Sequence, residues 1–198
     1  MVTPSSLLGA LWRARIAVLV ATVTALLATA AAARAYNIEH GIEHWPGKTI
    51  TYYPTVYKKA VDTGAKVWND AHIGVKLKRI SNRKKANFVV VDGDFVSPCE
   101  GVSLVGYQGR GVQSTMWLGR PCSLNGGDDR EFMIFTATHE LGHILGLGHE
   151  KHKCARMNAS ADFPTGTPGK CNYHSRSYWL KHLLKGDDIA GAKALYGG

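Results

Sequence analysis

The chain has 198 residues, 45% of them hydrophobic, and a formal charge of +9. Its basic excess raises nucleic acid or an anionic surface as a partner. However, no aromatic residue interleaves the main basic run (Lys76, Lys78, Arg79, Arg83, Lys84 and Lys85) and no nucleic-acid module signature occurs. The run reads as a solvated basic face, with contact to a wall or membrane surface as the alternative, and no nucleic-acid partner is expected.

Residues 1–35 contain Arg13, Arg15 and Arg34, no acidic residue, and eighteen uncharged residues between Arg15 and Arg34. They end in Ala33-Arg34-Ala35, a small-x-small site before Tyr36. This is the layout of a secretory signal peptide, and it predicts a secreted, extracellular chain starting at Tyr36. An uncleaved anchor is the alternative, since eighteen residues are just long enough to span a bilayer. There is no second apolar stretch, so no stable membrane insertion is expected after cleavage. Residues 36–198 keep all 15 acidic residues and lose three of the 24 basic ones, leaving +6. Their length suits one domain with its own core.

Thr49-Ile50-Thr51-Tyr52-Tyr53 reads as a strand ended by Pro54. A helix is predicted from about Val56 to Ala71, with Val61, Ala65, Trp68 and His72 on one face, before Gly74 breaks it. Val75-Lys76-Leu77-Lys78 alternates like a half-buried strand, and Phe88-Val89-Val90-Val91 reads as an interior one. Further strands are predicted at 102–107 and 114–118, and a turn at Gly126-Gly127-Asp128-Asp129. A long helix should begin near Asp129–Arg130 and run through Phe135 to Leu145. Residues 158–177 look like loop, and a last helix runs from Asp187 to Leu195, with Asp187-Asp188 meeting its free N–H groups.

Four cysteines, Cys99, Cys122, Cys154 and Cys171, follow the leader. An even count outside the cell favours two disulfides. Three pairings are open; the sequential one, Cys99–Cys122 and Cys154–Cys171, closes short local loops. A four-cysteine zinc site is disfavoured by the lack of C-x-x-C pairs.

The most informative segment is His139-Glu140-Leu141-Gly142-His143-Ile144-Leu145-Gly146-Leu147-Gly148-His149. Histidines four apart share one helix face and can grip one ion, with Glu140 beside them within reach of a water on that ion. On a continued helix, position 149 would fall roughly 600° round from position 143. Gly146 can turn the chain sharply and bring His149 back. Three imidazoles plus water make the open tetrahedral site of catalytic zinc.

This run resembles the long zinc signature of the metzincin peptidases, H-E-x-x-H-x-x-G-x-x-H, and within that clan it is most similar to the matrixins, the matrix-metalloprotease-like group. Met157, eight residues past His149, matches the Met-turn methionine that forms the base beneath the histidines. The tail from Asp187-Asp188 to Gly197 resembles the end of a matrixin catalytic domain, where the acidic pair ties the last helix to the Met-turn and, in some members, to the mature N-terminus. Trp45, Ile50 to Tyr53, Ala60 to Trp68 and Ala86 to Val91 match more loosely. The resemblance covers most of residues 43–197. It implies an α+β metzincin-like fold: a twisted mixed sheet of about five strands, packed with an active-site helix and a C-terminal helix, over residues 36–198.

Some features depart from the pattern. Asn158-Ala159 replaces the aromatic-proline pair after the methionine, and the four cysteines are not a general matrixin feature. No histidine lies between residues 73 and 138, so a second, structural zinc is not expected. Asp92, Asp94, Asp128 and Asp129 are candidates for calcium, without a complete loop signature. The ten or so residues after Tyr36 leave no room for an ordinary propeptide and hold no cysteine to block zinc.

The resemblance implies a zinc metalloendopeptidase acting on proteins or peptides, and a monomer is expected. One catalytic Zn2+ would be held by His139, His143 and His149, with a zinc-activated water and Glu140 as general base. The segment after Met157, roughly residues 160–177, should form the pocket for the side chain following the cleaved bond; Tyr173 and His174 lie there, where either lines the pocket or caps a surface loop. The alternatives are a zinc amide hydrolase acting on cell-wall peptide and a non-catalytic secreted zinc-binding protein.

Overall fold

The computed structural model describes residues 36–38, 43–124 and 127–197. The expected signal segment 1–35, and Gly126 of the expected turn, lie outside them. Strand β1 (Thr49–Pro54) leads to helix α1 (Lys58–Asp70), then to β2 (Lys76–Arg79), a 3-10 turn at Arg83–Lys85, and β3 (Phe88–Asp92). Strands β4 (Gly101–Ser103), β5 (Ser114–Leu118), β6 (Cys122–Leu124) and β7 (Gly127–Asp129) follow, then α2 (Met133–Leu145), α3 (Arg176–Lys181) and α4 (Gly186–Tyr196).

Five strands form one mixed sheet in the order β2-β1-β3-β5-β4. β2, β1, β3 and β5 are parallel; β4 runs antiparallel to β5 with Val102 opposite Trp117. The fold is thus α+β, a five-stranded mixed sheet with its histidine-bearing helix packed on it. β6 and β7 make a separate hairpin. Ile50, Tyr52, Leu77, Phe88, Val90, Met116 and Leu118 are buried on one sheet face and join one core with both long helices. Helix α1 contributes Ala60, Val61, Ala65 and Trp68, a stripe at helical spacing. The Trp68 indole N–H donates to Thr138 O at 3.0 Å and fastens α1 to α2. Gly64 lets the helices approach: a Cβ there would lie 3.0 Å from Thr138 Oγ1.

Helix α2 is buried on nearly every side, so its last carbonyls cannot rely on water. Gly106 N–H donates to His143 O, the Trp45 indole to Ile144 O and the Tyr196 hydroxyl to Leu145 O. A smaller core of Phe132, Phe135, Trp179 and Leu183 lies under the other side of α2. Disulfides join Cys99 to Cys122 and Cys154 to Cys171. Each closed loop restricts the unfolded chain by about 3 kcal/mol. Among the described residues, no helix is long and apolar enough to cross a membrane.

Several boundaries differ from the sequence reading. Helix α1 ends at Asp70, so His72 lies beyond it, exposed and with φ 50°, rather than on the buried face. The strand expected over 102–107 stops at Ser103, because Gly106 turns back (φ 66°) to cap α2. Helix α2 begins at Met133 rather than near 129, because the β6–β7 hairpin takes up Asp128 and Asp129, which stand opposite Ser123 and Cys122. The expected turn at 126–129 is therefore strand from Gly127 on. Residues 158–177, read as loop, end in the start of α3.

Candidate metal centre

Helix α2 presents His139 and His143 one turn apart. At its end Gly146 takes φ 104°, a left-handed conformation that costs residues with a Cβ, and the chain doubles back. Leu147 N–H donates to Gly142 O, and Gly148 N–H to Asn37 O. His149 therefore returns to the face it would have left on a straight helix. The three Nε2 atoms lie 3.1 Å (139–143), 3.2 Å (139–149) and 3.2 Å (143–149) apart.

Two of the rings are fixed from behind. His139 Nδ1–H donates to Arg156 O and His143 Nδ1–H to Leu147 O, both at 2.8 Å. A ring that donates from Nδ1 keeps the Nε2 lone pair free for a metal. Burial, with the neighbouring His143, lowers the His139 pKa to about 3, so its imidazole stays neutral. Zinc–nitrogen bonds of about 2.0–2.1 Å in a tetrahedron require an N···N spacing of roughly 3.3–3.4 Å. The observed triangle fits zinc within a few tenths of an ångström. His139, His143 and His149 are the one group of three or more histidine, cysteine or acidic side chains clustered for a metal among the described residues.

Met157 is buried beside helix α2, 2% exposed. Its sulfur packs on α2 so closely that a Cβ at Gly142 would lie 2.3 Å from it. The Met157 segment is held by Asp188, whose carboxylate accepts the backbone N–H groups of Arg156 (2.8 Å), Met157 (3.0 Å) and Lys185 (2.7 Å). Asp188 thus caps α4 and ties it to the segment that carries Met157. Tyr36 packs over Gly191 of the same helix.

Glu140 faces β4. It is 4% exposed, and its Oε2 is buried without a hydrogen-bond partner, as is the Ser103 hydroxyl oxygen nearby. Burial pushes its carboxyl up to about 7. A Cβ on Gly101 would fall 2.4 Å from Glu140 Cγ.

The histidines and Glu140 open into a cleft of about 770 Å³. One wall runs from Pro98 to Ser103, the floor is α2, and the other wall includes Arg156 and Asn158 to Ala161. Phe132, Phe135 and Phe163 line its apolar part. Arg156 is 3% exposed: its Nε donates to Leu183 O and Nη1 to Gly166 O, and its guanidinium lies over the Phe135 ring. Desolvation lowers its pKa to about 10, against the raising influence of Asp188. Tyr173 is 72% exposed and His174 stacks on Tyr178, and neither lines the cleft. Asp129 binds Arg176, and Asp128 faces Arg130. Sequence reasoning missed Gly101, Ser103 and Arg156. No local pattern marks them, since each is placed through partners 10 to 39 residues away.

No family model matches the chain. Over 73 residues it is 40% identical to matrilysin of Rattus norvegicus, a stretch covering 37% of this chain and 22% of that protein. The chain therefore matches less than a quarter of that relative's length. A solved structure of myroilysin covers 58% of this chain and 54% of its own, with 21% identity and a TM-score of 0.43.

Proposed function

We propose that this matrixin-like, metzincin-type chain is a secreted endopeptidase that uses one zinc ion held by His139, His143 and His149. The observation that carries the reading is the triangle of Nε2 atoms 3.1–3.2 Å apart, set in a cleft beside a buried glutamate. Bound zinc supplies Lewis acidity toward water and a peptide carbonyl. The protein supplies the remainder. The outer edge of β4, which among the described residues pairs only with β5, offers backbone groups to an extended peptide, a common mode of peptide capture. Phe132, Phe135 and Phe163 offer an apolar recess for one of its side chains.

Glu140 is the general base in this reading. Its carboxylate accepts a proton from the attacking water and returns one to the departing amine nitrogen, so the peptide C–N bond breaks as a C–O bond forms. Desolvation makes that carboxylate more basic, which favours proton acceptance, and a bound cation acts in the opposite sense. The carbonyls of Arg156 and Leu147 hold two ligands in their neutral tautomer. Two disulfides support export to an oxidising exterior, and residues 1–35 serve as the leader.

The test is Glu140→Gln, assayed for zinc content and hydrolysis of a broad library of extended peptides. Glutamine leaves all three histidines in place and cannot take the proton. Zinc should stay, and hydrolysis should fall about 10²–10⁴-fold. Near-normal hydrolysis with zinc retained rules Glu140 out as the base. Equal inertness of wild type and variant favours a zinc-binding protein or a hydrolase of cell-wall peptide.

A further inference from the structure

The edge of the sheet farthest from β4 carries a feature the proposed reaction does not use. Between Asp70 and Asp92 the sequence has no acidic residue and six basic ones, Lys76, Lys78, Arg79, Arg83, Lys84 and Lys85. The fold adds Lys48, whose carbonyl accepts the Lys76 N–H at 3.0 Å. Lys76 stands beside Thr49 and Lys78 beside Thr51 in the β1–β2 ladder, and Lys85 O accepts the Thr51 hydroxyl. The Ile50–Leu77 pair between them is buried in the core. Alternation along a strand then sends Lys76 and Lys78 to the opposite face of the sheet.

Lys48, Lys76, Lys78, Arg83, Lys84 and Lys85 are all exposed. Arg79 pairs with Asp62, but among the described residues none of the other six makes an ion pair. Gathering like charges without compensation works against the compact state, and an external polyanion relieves it. The surface narrows the choice of partner. Among the described residues no exposed Phe, Tyr or Trp ring lies among these cations, whereas single-stranded nucleic acid is bound chiefly by stacking on such rings. The exposed apolar side chain placed closest by hydrogen bonds is Val112, beside Gln113, whose amide donates to Arg83 O and Ala86 O. One valine is not the apolar face that membrane insertion uses.

We propose that this edge is a docking surface for a linear anionic polysaccharide. Strands β1, β3 and β5 lie between it and β4, so a docked polymer leaves the cleft open. Binding here does not depend on the reaction assigned to the cleft.

The experiment uses the mature, zinc-loaded protein and heparin as the probe, at about 150 mM salt. The variant combines Lys76→Glu, Lys78→Glu and Lys84→Glu. A control of equal net charge combines Lys151→Glu, Lys170→Glu and Lys181→Glu, all on other exposed surfaces. At roughly fivefold per lysine charge removed near an anionic surface, the edge variant, which removes three charges and reverses them, should lose more than about a hundredfold in affinity and the control only a few-fold. Peptide hydrolysis by the edge variant should match wild type, which also reports its folding. Lysine-to-glutamine changes at the same three positions should give an intermediate loss. Equal losses in both triple variants would mean net charge rather than a site. No heparin binding by wild type, or tighter binding to phosphatidylglycerol vesicles or to an oligothymidylate, would overturn the proposal. So would loss of hydrolysis in both the glutamate and glutamine edge variants.

Discussion

The contact between Gly101 and Glu140 allows a quantitative test of how the proposed base is placed. In Gly101→Ala the new Cβ would stand 2.4 Å from Glu140 Cγ, 2.8 Å from Cδ and 2.9 Å from Oε1. Carbon atoms in favourable contact are about 3.5–4.0 Å apart, so the pair must separate by about 1 Å. Glu140 sits on a helix buried on nearly every side, and its backbone cannot supply that movement. If the carboxylate swings aside, a displacement of this size costs on the order of 100-fold in rate, or about 2.7 kcal/mol in the barrier. If β4 moves outward instead, the edge proposed to bind peptide moves with it and KM rises while kcat holds. The assay is kcat and KM on one fluorogenic peptide, with zinc content by elemental analysis. We expect kcat to fall about 100-fold with zinc retained. Val102→Ala, on the same strand but 46% exposed, should change kcat less than twofold. A Gly101→Ala enzyme with wild-type kcat and KM would refute the steric reasoning.

Other outcomes follow from the same geometry. His143→Ala removes a proposed ligand, so it should lose zinc itself, in contrast to Glu140→Gln, and a chelator should abolish hydrolysis with one zinc per chain released. Two zincs per chain by elemental analysis would contradict the single-site assignment. Intact mass of secreted protein should place the N-terminus at Tyr36 and show four oxidised cysteines; a start before residue 30 would count against the leader assignment. Burial alone would raise the Asp129 pKa, but hydrogen bonds from Arg176 and the Phe132 N–H, with the Arg176 charge, bring it below the usual carboxylate range. A depressed folded-state pKa contributes stability that is complete above the unfolded value, near 4, and lost as pH falls through the lower folded value. Asp129→Asn should therefore flatten the acid limb of the stability profile below about pH 4, measured by thermal unfolding, and an unchanged limb would show that the pair contributes nothing there.

The parts of this molecule set by local periodicity are legible in its sequence. The i, i+4 histidines and the glycine before His149 suffice to anticipate three imidazoles turned to one point. Alternation and apolar runs anticipate β1, β2, β3 and β5. What escapes is set by distant partners. Helix α3 has only Trp179 fully buried, too little for a stripe, although Ser175, whose hydroxyl accepts the Tyr178 N–H, is a start signal at its proper place. The proximity of Gly101 to Glu140 exists because β4 crosses α2, and no spacing along the chain encodes that crossing. Arg156 reads as one more surface charge until Leu183 and Gly166 are found folded around its guanidinium.

The two disulfides have a consequence for how the molecule can fail. Cys99–Cys122 fastens the segment entering β4, and Cys154–Cys171 brackets Met157 and the rim from Asn158 to Ala161. Neither bond crosses the cleft; each clasps one bank. A chelator and a reductant should therefore produce two separable kinds of inactive protein. The first keeps both banks standing around an intact seat and regains activity when metal is returned. The second keeps its histidines on α2 and the turn after it, but its banks have come loose, and added metal alone does not bring them back.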